Sequence, residues 1–327
     1  MANKLIEIRN LKTYFHTKNA VIRAVDGVDL DVDEGQIVCI VGESGSGKSI
    51  TSLSIMQLLA KPAGRIVDGE VWFEGKDLTK LAEKEMTEIR GNRISMIFQE
   101  PMTALNPVMK VGEQITEVLL RHRSVSTAEA NIKAVEMLRF VGVPRAEHIV
   151  KEYPHQLSGG MRQRVMIAMA MVCEPRLLIA DEPTTALDVT IQIQVLELMK
   201  KMRDELNTSI ILITHDLGVV AEMADHVVVM YAGQVVESVH ADTIFDTPLH
   251  PYTQALLASI PSLDDEKDVL YSIPGTVPSA AAFPPGCRFT DRCERAQPSC
   301  ARKLPELREI EPGHFVRCDL VQSGGKL

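Results

Sequence analysis

An apolar segment, Gln36–Val41, runs directly into a turn that combines three glycines with three serines and a lysine, Gly42–Ser49. The apolar segment is continuous enough to be a buried parallel strand, and Ile50–Leu59 after the turn has the pattern of a helix. In this strand, loop and helix order, backbone N–H groups of the turn point inward around phosphates, and the helix N-terminus adds a favourable dipole. The feature predicts an α/β fold around a parallel sheet, with a nucleotide as the ligand.

The polar residues of the turn have separate chemical roles. Lys48 supplies a point charge for the phosphates, and Ser49 supplies a hydroxyl ligand for Mg²⁺. The sequence therefore predicts a site for ATP and Mg²⁺. The nucleotide contacts that it predicts here are Gly42, Ser44, Gly45, Ser46, Gly47, Lys48, Ser49 and Ile50.

A second glycine-rich segment, Leu157–Met161, lies more than a hundred residues further along the chain. The hydroxyl of Ser158 and the N–H groups of Gly159 and Gly160 at a helix start form a second place to hold phosphate. A lone ATPase needs only one such loop. The second is therefore interpreted as closing on the triphosphate held by another subunit, so that ATP binding and hydrolysis make and break a dimer.

An acidic pair follows the apolar stretch Leu177–Ala180, which has the pattern of a strand. Asp181 at the strand end can hold Mg²⁺ through water, and Glu182 can polarise the attacking water as a general base. Two acids at a strand end also occur as simple helix caps. The glycine-rich turn upstream favours the catalytic interpretation.

Other patterns predict how the chain is organised. Between Lys4 and about Val41 short apolar runs, among them Val21–Val25 and Val28–Val32, predict an antiparallel sheet. Helical stretches within about 91–160 predict an inserted lobe, Gln163–Cys173 predicts a further helix, and two strands around an Ala-Gly turn predict a closing hairpin, Val227–Glu237.

Beyond Thr247 prolines become frequent and four of the six cysteines are found, which predicts an appended C-terminal domain. We therefore expect a nucleotide-binding domain at 1–247 and a C-terminal extension at 248–327. The fold class is α/β: a P-loop NTPase core with an N-terminal antiparallel β subdomain, an inserted helical lobe and a small irregular cysteine-rich domain.

Charge and hydropathy exclude several other classes of protein. The formal net charge of −9 argues against a broad nucleic-acid-binding surface. No apolar run approaches the roughly 18 residues of a membrane-spanning helix. The first residues lead into alternating apolar positions rather than a signal-peptide block, so the chain is expected to remain in the cytoplasm.

Over about Leu5–Ser238 these motifs resemble the ATP-binding cassette (ABC) superfamily. Leu157–Met161 resembles the signature sequence of that family, which usually ends in Gln where this chain has Met161. The departure affects only a contact of the fifth side chain, because phosphate binding depends on Ser158 and on backbone N–H groups.

The resemblance implies roles for further residues. Gln99 resembles the residue that contacts Mg²⁺ and the lytic water, and the segment after it is where family members sense a membrane partner. The stretch Ala186–Asp188 resembles the loop that crosses the dimer interface, with Asp188 near the nucleotide. His215 resembles the histidine that hydrogen-bonds the γ-phosphate. Phe15 resembles the aromatic on which adenine stacks, with Tyr14 as the alternative.

The C-terminal region resembles the extension found in ATPase subunits of dipeptide and oligopeptide importers, through His250–Thr253 and Ala255–Leu257. This resemblance implies a peripheral protein at the cytoplasmic face of the cell membrane. It also implies a second ATPase subunit, homologous or identical, two membrane permease subunits and, indirectly, an extracytoplasmic substrate-binding protein, with no nucleic acid. A nickel importer subunit and a non-transport soluble ABC ATPase are the alternatives.

The cysteines divide into two groups. Cys39 in the strand before the glycine-rich turn and Cys173 in a later helix are interpreted as buried core residues. The other four suit thiolate ligation of a [4Fe–4S] cluster or of Zn²⁺ in a reducing compartment, with unligated thiols or disulfides as further alternatives. The resemblance favours the cluster. These four are Cys287, Cys293, Cys300 and Cys318.

Overall fold

The structure is a computed structural model that describes residues 3–99, 105–185, 188–260 and 271–322. Within these ranges the chain forms two compact units. One unit consists of Met1–Leu5, Asp33–Gln36 and Lys80–Ile213, and the other of Ile6–Val32, Ile37–Thr79 and Thr214–Leu327.

Strands and helices are numbered in chain order. The strands are β1 (Lys4–His16), β2 (Val21–Asp33), β3 (Ile37–Val41), β4 (Gly64–Phe73), β5 (Lys76–Asp77), β6 (Ile94–Ile97), β7 (Leu177–Asp181), β8 (Ser209–Ile213), β9 (His226–Tyr231), β10 (Gln234–His240), β11 (Arg308–Glu311) and β12 (His314–Val316). The α-helices are α1 (Lys48–Ile55), α2 (Glu83–Ile89), α3 (Val111–His122), α4 (Thr127–Phe140), α5 (Ala146–Ile149), α6 (Gly159–Met171), α7 (Val189–Leu206), α8 (Leu217–Met223), α9 (Ala241–Asp246) and α10 (Pro251–Ala258). Short 3₁₀ turns occur at Leu78–Lys80, Pro154–Gln156 and Thr290–Arg292.

The unit that contains Lys80–Ile213 is built on three parallel strands in the order β8-β7-β6. Every residue of β7 and β8 is buried, as expected of parallel strands covered on both faces. Helices α3, α4 and α6 pack against one another. Ser126 begins α4 as its N-cap, with Glu129 accepting from the Ser126 N–H at 2.7 Å, so local sequence fixes where this helix starts.

The other unit contains a four-stranded sheet in the order β2-β1-β4-β5, with antiparallel pairs β1–β4 and β4–β5. The predicted antiparallel subdomain is therefore confirmed. The division of its second segment into Val21–Val25 and Val28–Val32 is wrong, because β2 is continuous. Gly27 within β2 has a φ of 81°, a conformation that glycine accepts without ending the strand.

A second sheet of this unit has the strand order β11-β12-β10-β9-β3. Strand β3 pairs in parallel with β9, and β9 and β10 form the predicted hairpin around Ala232 and Gly233. The prediction that this hairpin closes the sheet is wrong. Strand β12 pairs with β10 in antiparallel register, Glu237 opposite Val316, so the C-terminal region adds two strands beyond the hairpin.

Two predicted helix boundaries are also wrong. Helix α1 covers Lys48–Ile55 and not Ile50–Leu59, because Gln57 takes a φ of 50° and ends the helical path. Helix α6 begins at Gly159 and not Gln163, because Ser158 is its N-cap. Among the described helices, none is both long and apolar enough to cross a membrane.

Candidate functional site

The glycine-rich turn between β3 and α1, the phosphate loop, has a backbone path that requires glycine at two positions. A Cβ atom on Gly42 would lie 2.1 Å from the carbonyl oxygen of Met230, and one on Gly47 would lie 2.5 Å from that of Ala24. Both glycines have positive φ values, 144° and 104°. The loop therefore packs backbone against backbone, at distances that no side chain allows.

Lys48 lies inside this loop and is almost fully buried. Its ammonium group donates to the carbonyl oxygen of Gly42 at 2.7 Å and to that of Glu43 at 3.0 Å. The hydroxyl of Ser46 is buried and has no hydrogen-bond partner among the described residues. A buried cation, an unpartnered donor and a helix N-terminus at one loop suit an oxyanion such as a phosphate group.

Other predicted contacts of the loop differ in exposure. Ser44 and Gly45 are exposed, whereas Ser49 and Ile50 in the first turn of α1 are half-buried. The hydroxyl of Ser49 is the group in this set that suits Mg²⁺, a cation that prefers oxygen ligands. These residues lie where the sequence predicts them, on the loop and the helix start.

The two aromatic candidates for adenine stacking lie near the end of β1. The Tyr14 hydroxyl donates to Oδ1 of Asp26 at 2.6 Å, and burial together with this carboxylate raises the pKa of Tyr14 to about 12. Phe15 is half-buried, and its ring lies against Gly64, where a Cβ would come within 2.6 Å of Cε1. The Tyr14 hydroxyl is thus held by Asp26, whereas the Phe15 side chain has no polar atom that a neighbour could hold.

The acidic pair lies at the end of β7 in the other unit. Asp181 is buried, and Glu182 has a φ of 47° with its N–H donating to the carbonyl of Ile213 at 3.0 Å. One carboxylate oxygen of Glu182 accepts from Nε2 of Gln99 at 2.9 Å and from the Thr185 hydroxyl at 3.0 Å. The structure therefore brings Gln99 and Glu182 together, although 83 positions separate them in the sequence.

Thr185 was not identified from the sequence. Its only signal was its position three residues after Glu182, in the turn that leads from β7 toward α7. Its hydroxyl donates to the same oxygen of Glu182 as Gln99 does, so both residues orient that carboxylate. The segment after Gln99, residues 100–104, lies outside the described residues.

The second glycine-rich segment forms the start of α6. Ser158 is the N-cap, and its hydroxyl accepts from the N–H of Met161 at 3.4 Å. Ser158 and Gly159 are exposed, while a Cβ on Gly160 would lie 3.2 Å from the side chain of Ile191. The segment thus presents a helix N-terminus and a hydroxyl at the surface of its own chain, the arrangement that an external anion can approach.

A buried glutamine, which the sequence analysis did not identify, connects this helix with the acidic pair. Gln163 is fully buried in α6, and its Nε2 donates to the carbonyl oxygen of Pro183, the residue after Glu182. Gln163 stands between Arg162 and Arg164, and nothing in this polar stretch distinguishes it as a buried residue. The bond fixes the start of α6 relative to the turn that carries Glu182.

The two remaining candidate residues are Asp188 and His215. Asp188 is the N-cap of α7 and accepts from the N–H of Ile191 at 3.0 Å; Ala186 and Leu187 lie outside the described residues. His215 is exposed and follows Thr214, whose N–H donates to the carbonyl of Ile40 at 3.2 Å. Neither contact assigns a chemical role to Asp188 or His215.

The cysteines fall into the two predicted groups. Cys39 and Cys173 are buried core residues, which confirms that interpretation. The remaining four thiols line one small cavity of about 20 Å³ together with His250, Phe289 and Leu320. Burial, together with the neighbouring thiols of Cys318, Cys293 and Cys300, raises the pKa of Cys287 to about 11.

Among the described residues, no group of three or more His, Cys, Asp or Glu side chains is arranged to hold a single metal ion. Four thiolates around one Zn²⁺ lie about 2.3 Å from the ion, so they must be tightly grouped. A cluster of four irons is larger and takes its four thiolates around a wider cavity. Four thiols that line one cavity are a donor set that suits a thiolate-bound group.

Comparison with known proteins places this chain in a family. Residues 25–185 match the family described as ABC transporter, and residues 236–300 match the family described as oligopeptide/dipeptide transporter, C-terminal region. Several known proteins are 50 to 59% identical to this chain over 96 to 98% of its length, which is enough to show common membership of a family. The chain belongs to the ABC transporter family of ATP-binding proteins, and it is an ATPase.

Its relatives include proteins of nearly equal length. The chain is 59% identical over 98% of both chains to the oligopeptide transport ATP-binding protein AppD of Bacillus subtilis (strain 168). It is 52% identical to the oligopeptide transport ATP-binding protein OppD of the same organism, covering 97% of this chain and 89% of OppD. The dipeptide transport ATP-binding protein DppD of that organism is 50% identical, over 96% of this chain and 94% of DppD.

Solved structures confirm the fold. A dimeric structure of the ATP-binding cassette MJ0796 in a post-hydrolysis state, bound to ADP and Pi, superposes with a TM-score of 0.65 at 29% identity, covering 72% of this chain and 98% of that one. The structure of cbiO1 from Clostridium perfringens gives a TM-score of 0.64 at 26% identity, over 75% of this chain and 91% of that one. The predicted α/β fold class is therefore confirmed.

Proposed function

We propose that this chain is the ATP-hydrolysing subunit of a membrane importer for di- or oligopeptides. The observation that carries the proposal is the identity of 50 to 59% with oligopeptide and dipeptide transport ATP-binding proteins. The similarity extends through the C-terminal region, where residues 236–300 match a model specific to oligopeptide and dipeptide transporters. A general cassette ATPase would give no reason for that second match.

ATP is held between two cassettes in this proposal, with Lys48 of one subunit and Ser158 of its partner on either side of the triphosphate. Support comes from the exposed helix N-terminus at Ser158 and Gly159, which faces outward from its own chain. The related cassette MJ0796 forms a dimer in its solved structure. Binding of ATP closes the dimer and moves attached membrane subunits, and hydrolysis reopens it.

Glu182 is the proposed general base for the attacking water, oriented by Gln99 and Thr185. Asp181, Ser49 and Gln99 are the proposed Mg²⁺ ligands, and the ion would neutralise charge on the phosphates. His215 is proposed to hydrogen-bond the terminal phosphate, Phe15 to stack on adenine, and Asp188 to lie near the nucleotide of the closed dimer.

The proposed partners are a second ATPase subunit, which is a homologue or a copy of this chain, and two membrane permease subunits. An extracytoplasmic substrate-binding protein acts indirectly through those permeases, and the chain itself lies at the cytoplasmic face of the membrane. Residues 1–247 form the nucleotide-binding domain in this proposal, and residues 248–327 form the importer-type extension.

A [4Fe–4S] cluster held by the four thiols of the cavity is the proposed second cofactor, with zinc as the alternative. All four side chains line one cavity, and burial together with neighbouring thiols raises the pKa values of Cys287, Cys293 and Cys318. A cationic iron–sulfur core would offset this cost of forming thiolates. The group would crosslink a region that has little regular secondary structure.

The test is reconstitution with candidate permeases in vesicles that enclose ATP. External peptide, delivered with its binding protein, should raise ATP hydrolysis and enter the vesicles. Stimulation by nickel and not by peptide would support the nickel importer. Purification of the chain with ribosomes or nucleic acid, and without permeases, would instead contradict a role in import.

A further inference from the structure

A buried arginine of the C-terminal extension binds the phosphate loop directly. The guanidinium group of Arg292 donates to both carboxylate oxygens of Glu43, at 2.7 and 2.9 Å. Only 4% of the Arg292 side chain is exposed, and 30% of the Glu43 side chain. Two parallel bonds between a guanidinium fork and a carboxylate fix orientation as well as distance. The two residues are 249 positions apart in the sequence.

The main chain of the same loop residue is held by a second extension residue. The N–H of Glu43 donates to the hydroxyl of Tyr252 at 2.9 Å. The Tyr252 ring is buried between aromatic neighbours, with ring centroids 4.6 Å from Tyr231 and 5.4 Å from Phe289. Glu43 is therefore fixed at its side chain and at its peptide group by residues that do not belong to the loop.

A second buried arginine acts through the β9–β10 turn. Arg288 donates to the carbonyl of Ala232 at 2.6 Å and pairs with the carboxylate of Asp26. The next residue, Gly233, donates its N–H to the carbonyl of Ser46 in the phosphate loop at 2.9 Å. Arg288 thus binds the β9–β10 turn, and that turn binds the phosphate loop.

These contacts affect the position of Lys48, the buried cation of the phosphate loop. Lys48 donates to the carbonyl oxygens of Gly42 and Glu43, so the position of its ammonium group depends on where those carbonyls lie. Glu43 also adds a negative charge to a loop that suits a polyanion. Arg292 fixes and neutralises that charge at the same time.

We propose that Arg292 and Arg288 are positioning residues for ATP binding, so that the C-terminal extension sets the affinity of the phosphate loop for ATP. The inference rests on the proposed role of this loop in binding ATP. The residues Tyr252, Arg288 and Arg292 are termed the loop brace. All three lie between residues 248 and 300, in the stretch that matches the transporter C-terminal model.

The experiment measures the Kd for ATP of the full-length protein by equilibrium binding, together with KM and kcat. Arg292→Gln should raise Kd and KM at least tenfold while kcat at saturating ATP changes less than threefold. Arg292→Lys, which keeps the charge without the fork, should recover part of the loss. Arg302→Gln is the matched control, because Arg302 is exposed and its Nε donates to the carbonyl of Pro298 at 3.1 Å.

Two additional variants separate positioning from charge and from folding. Tyr252→Phe keeps the packed ring and removes only the acceptor for the Glu43 N–H, so it should raise Kd severalfold in a protein of nearly unchanged melting temperature. Glu43→Gln in the Arg292→Gln background removes the unpaired charge. Incomplete recovery in that double variant indicates that Arg292 positions the loop as well as neutralising it, and full recovery would overturn the positioning role.

Lys48→Ala reports on the proposed ATP site itself and should lose ATP binding. Wild-type Kd in Tyr252→Phe and in folded Arg292→Gln, with binding lost in Lys48→Ala, would overturn the brace and leave the ATP site intact. Unchanged binding in Lys48→Ala would overturn both.

Discussion

Nε2 of Gln99 donates to the Oε2 atom of Glu182 at 2.9 Å, and the Thr185 hydroxyl donates to the same oxygen at 3.0 Å. Two donors on one oxygen, Oε2, hold the carboxylate in a single orientation. A general base needs such an orientation because the proton must be taken within hydrogen-bond reach.

Glu182→Gln should therefore preserve ATP binding and lower ATP turnover by about 10²- to 10⁴-fold, the usual contribution of a general base. The amide keeps the shape of the side chain but cannot accept the proton. Rates of phosphate release and the Kd for ATP would be measured on one preparation, together with the fraction of dimer in the presence of ATP. Thr185→Val, which removes one orienting donor, should have a much smaller effect, and wild-type turnover in Glu182→Gln would refute the assignment.

Gly42→Ala should abolish ATP binding and destabilise the fold by several kcal/mol, because a Cβ there would lie 2.1 Å from the backbone oxygen of Met230. Gly75→Ala is a matched control: its φ is also positive, at 77°, but no atom lies within 4 Å of the new methyl group. Strain alone should cost that control about 1 kcal/mol. Urea unfolding and ATP binding would be compared, and equal losses in both variants would show that crowding at Gly42 is not the cause.

The stability of the protein should fall as pH falls from about 6.5 toward about 4, because burial lowers the pKa of His250 to about 4. Between these two pKa values the unfolded chain binds a proton that the folded chain resists, so the loss of stability accumulates as pH falls and is complete below about 4. A shift of this size corresponds to about 3 kcal/mol. Nδ1 of His250 accepts from the Tyr252 N–H at 3.0 Å, which requires the neutral ring.

His250→Gln should flatten this pH dependence when unfolding free energies are measured from pH 7.5 to 4.5. His226, whose pKa burial also lowers to about 4, should supply a remaining slope. The exposed His240 is the control residue, and His240→Gln should reproduce the wild-type slope. An undiminished slope in His250→Gln would assign the pH dependence to other groups.

Protein purified anaerobically should contain iron and acid-labile sulfide and should absorb visible light. Cys318→Ser should lose all three, because it removes one of the four thiols that line the cavity. Cys173→Ser is the matched control: this thiol is buried elsewhere, 3.9 Å from the carbonyl of Val118, and the variant should retain them. Zinc without sulfide in the wild-type protein would favour the zinc alternative.

Much of the nucleotide site was predictable because its motifs are local. The strand, loop and helix around Gly42–Ser49 are set by adjacent residues, and so is the position of Glu182 after an apolar strand. Helix ends were less predictable. The start of α6 at Gly159 depends on Ser158 as its N-cap. The end of α1 depends on the left-handed backbone of Gln57, which the side-chain pattern does not predict.

The long-range contacts were not predictable from one sequence. Nothing in the pattern around Arg292 pairs it with Glu43, and nothing in the three residues of β12 selects β10 as its partner. Such contacts depend on how distant segments pack, and a proline-rich stretch carries little periodic signal about packing. For the same reason the strands and buried arginines that the C-terminal region contributes to its compact unit were not predicted.

The pairing of β12 with β10 has a practical consequence for shortened forms of the protein. A chain that ended before His314 would uncover one edge of β10, whose valines at 235, 236 and 239 are buried. Exposed strand edges of this kind recruit other chains through their open N–H and C=O groups. Truncated ATPase would therefore aggregate edge to edge, and its loss of activity would say little about the chemistry of the missing residues.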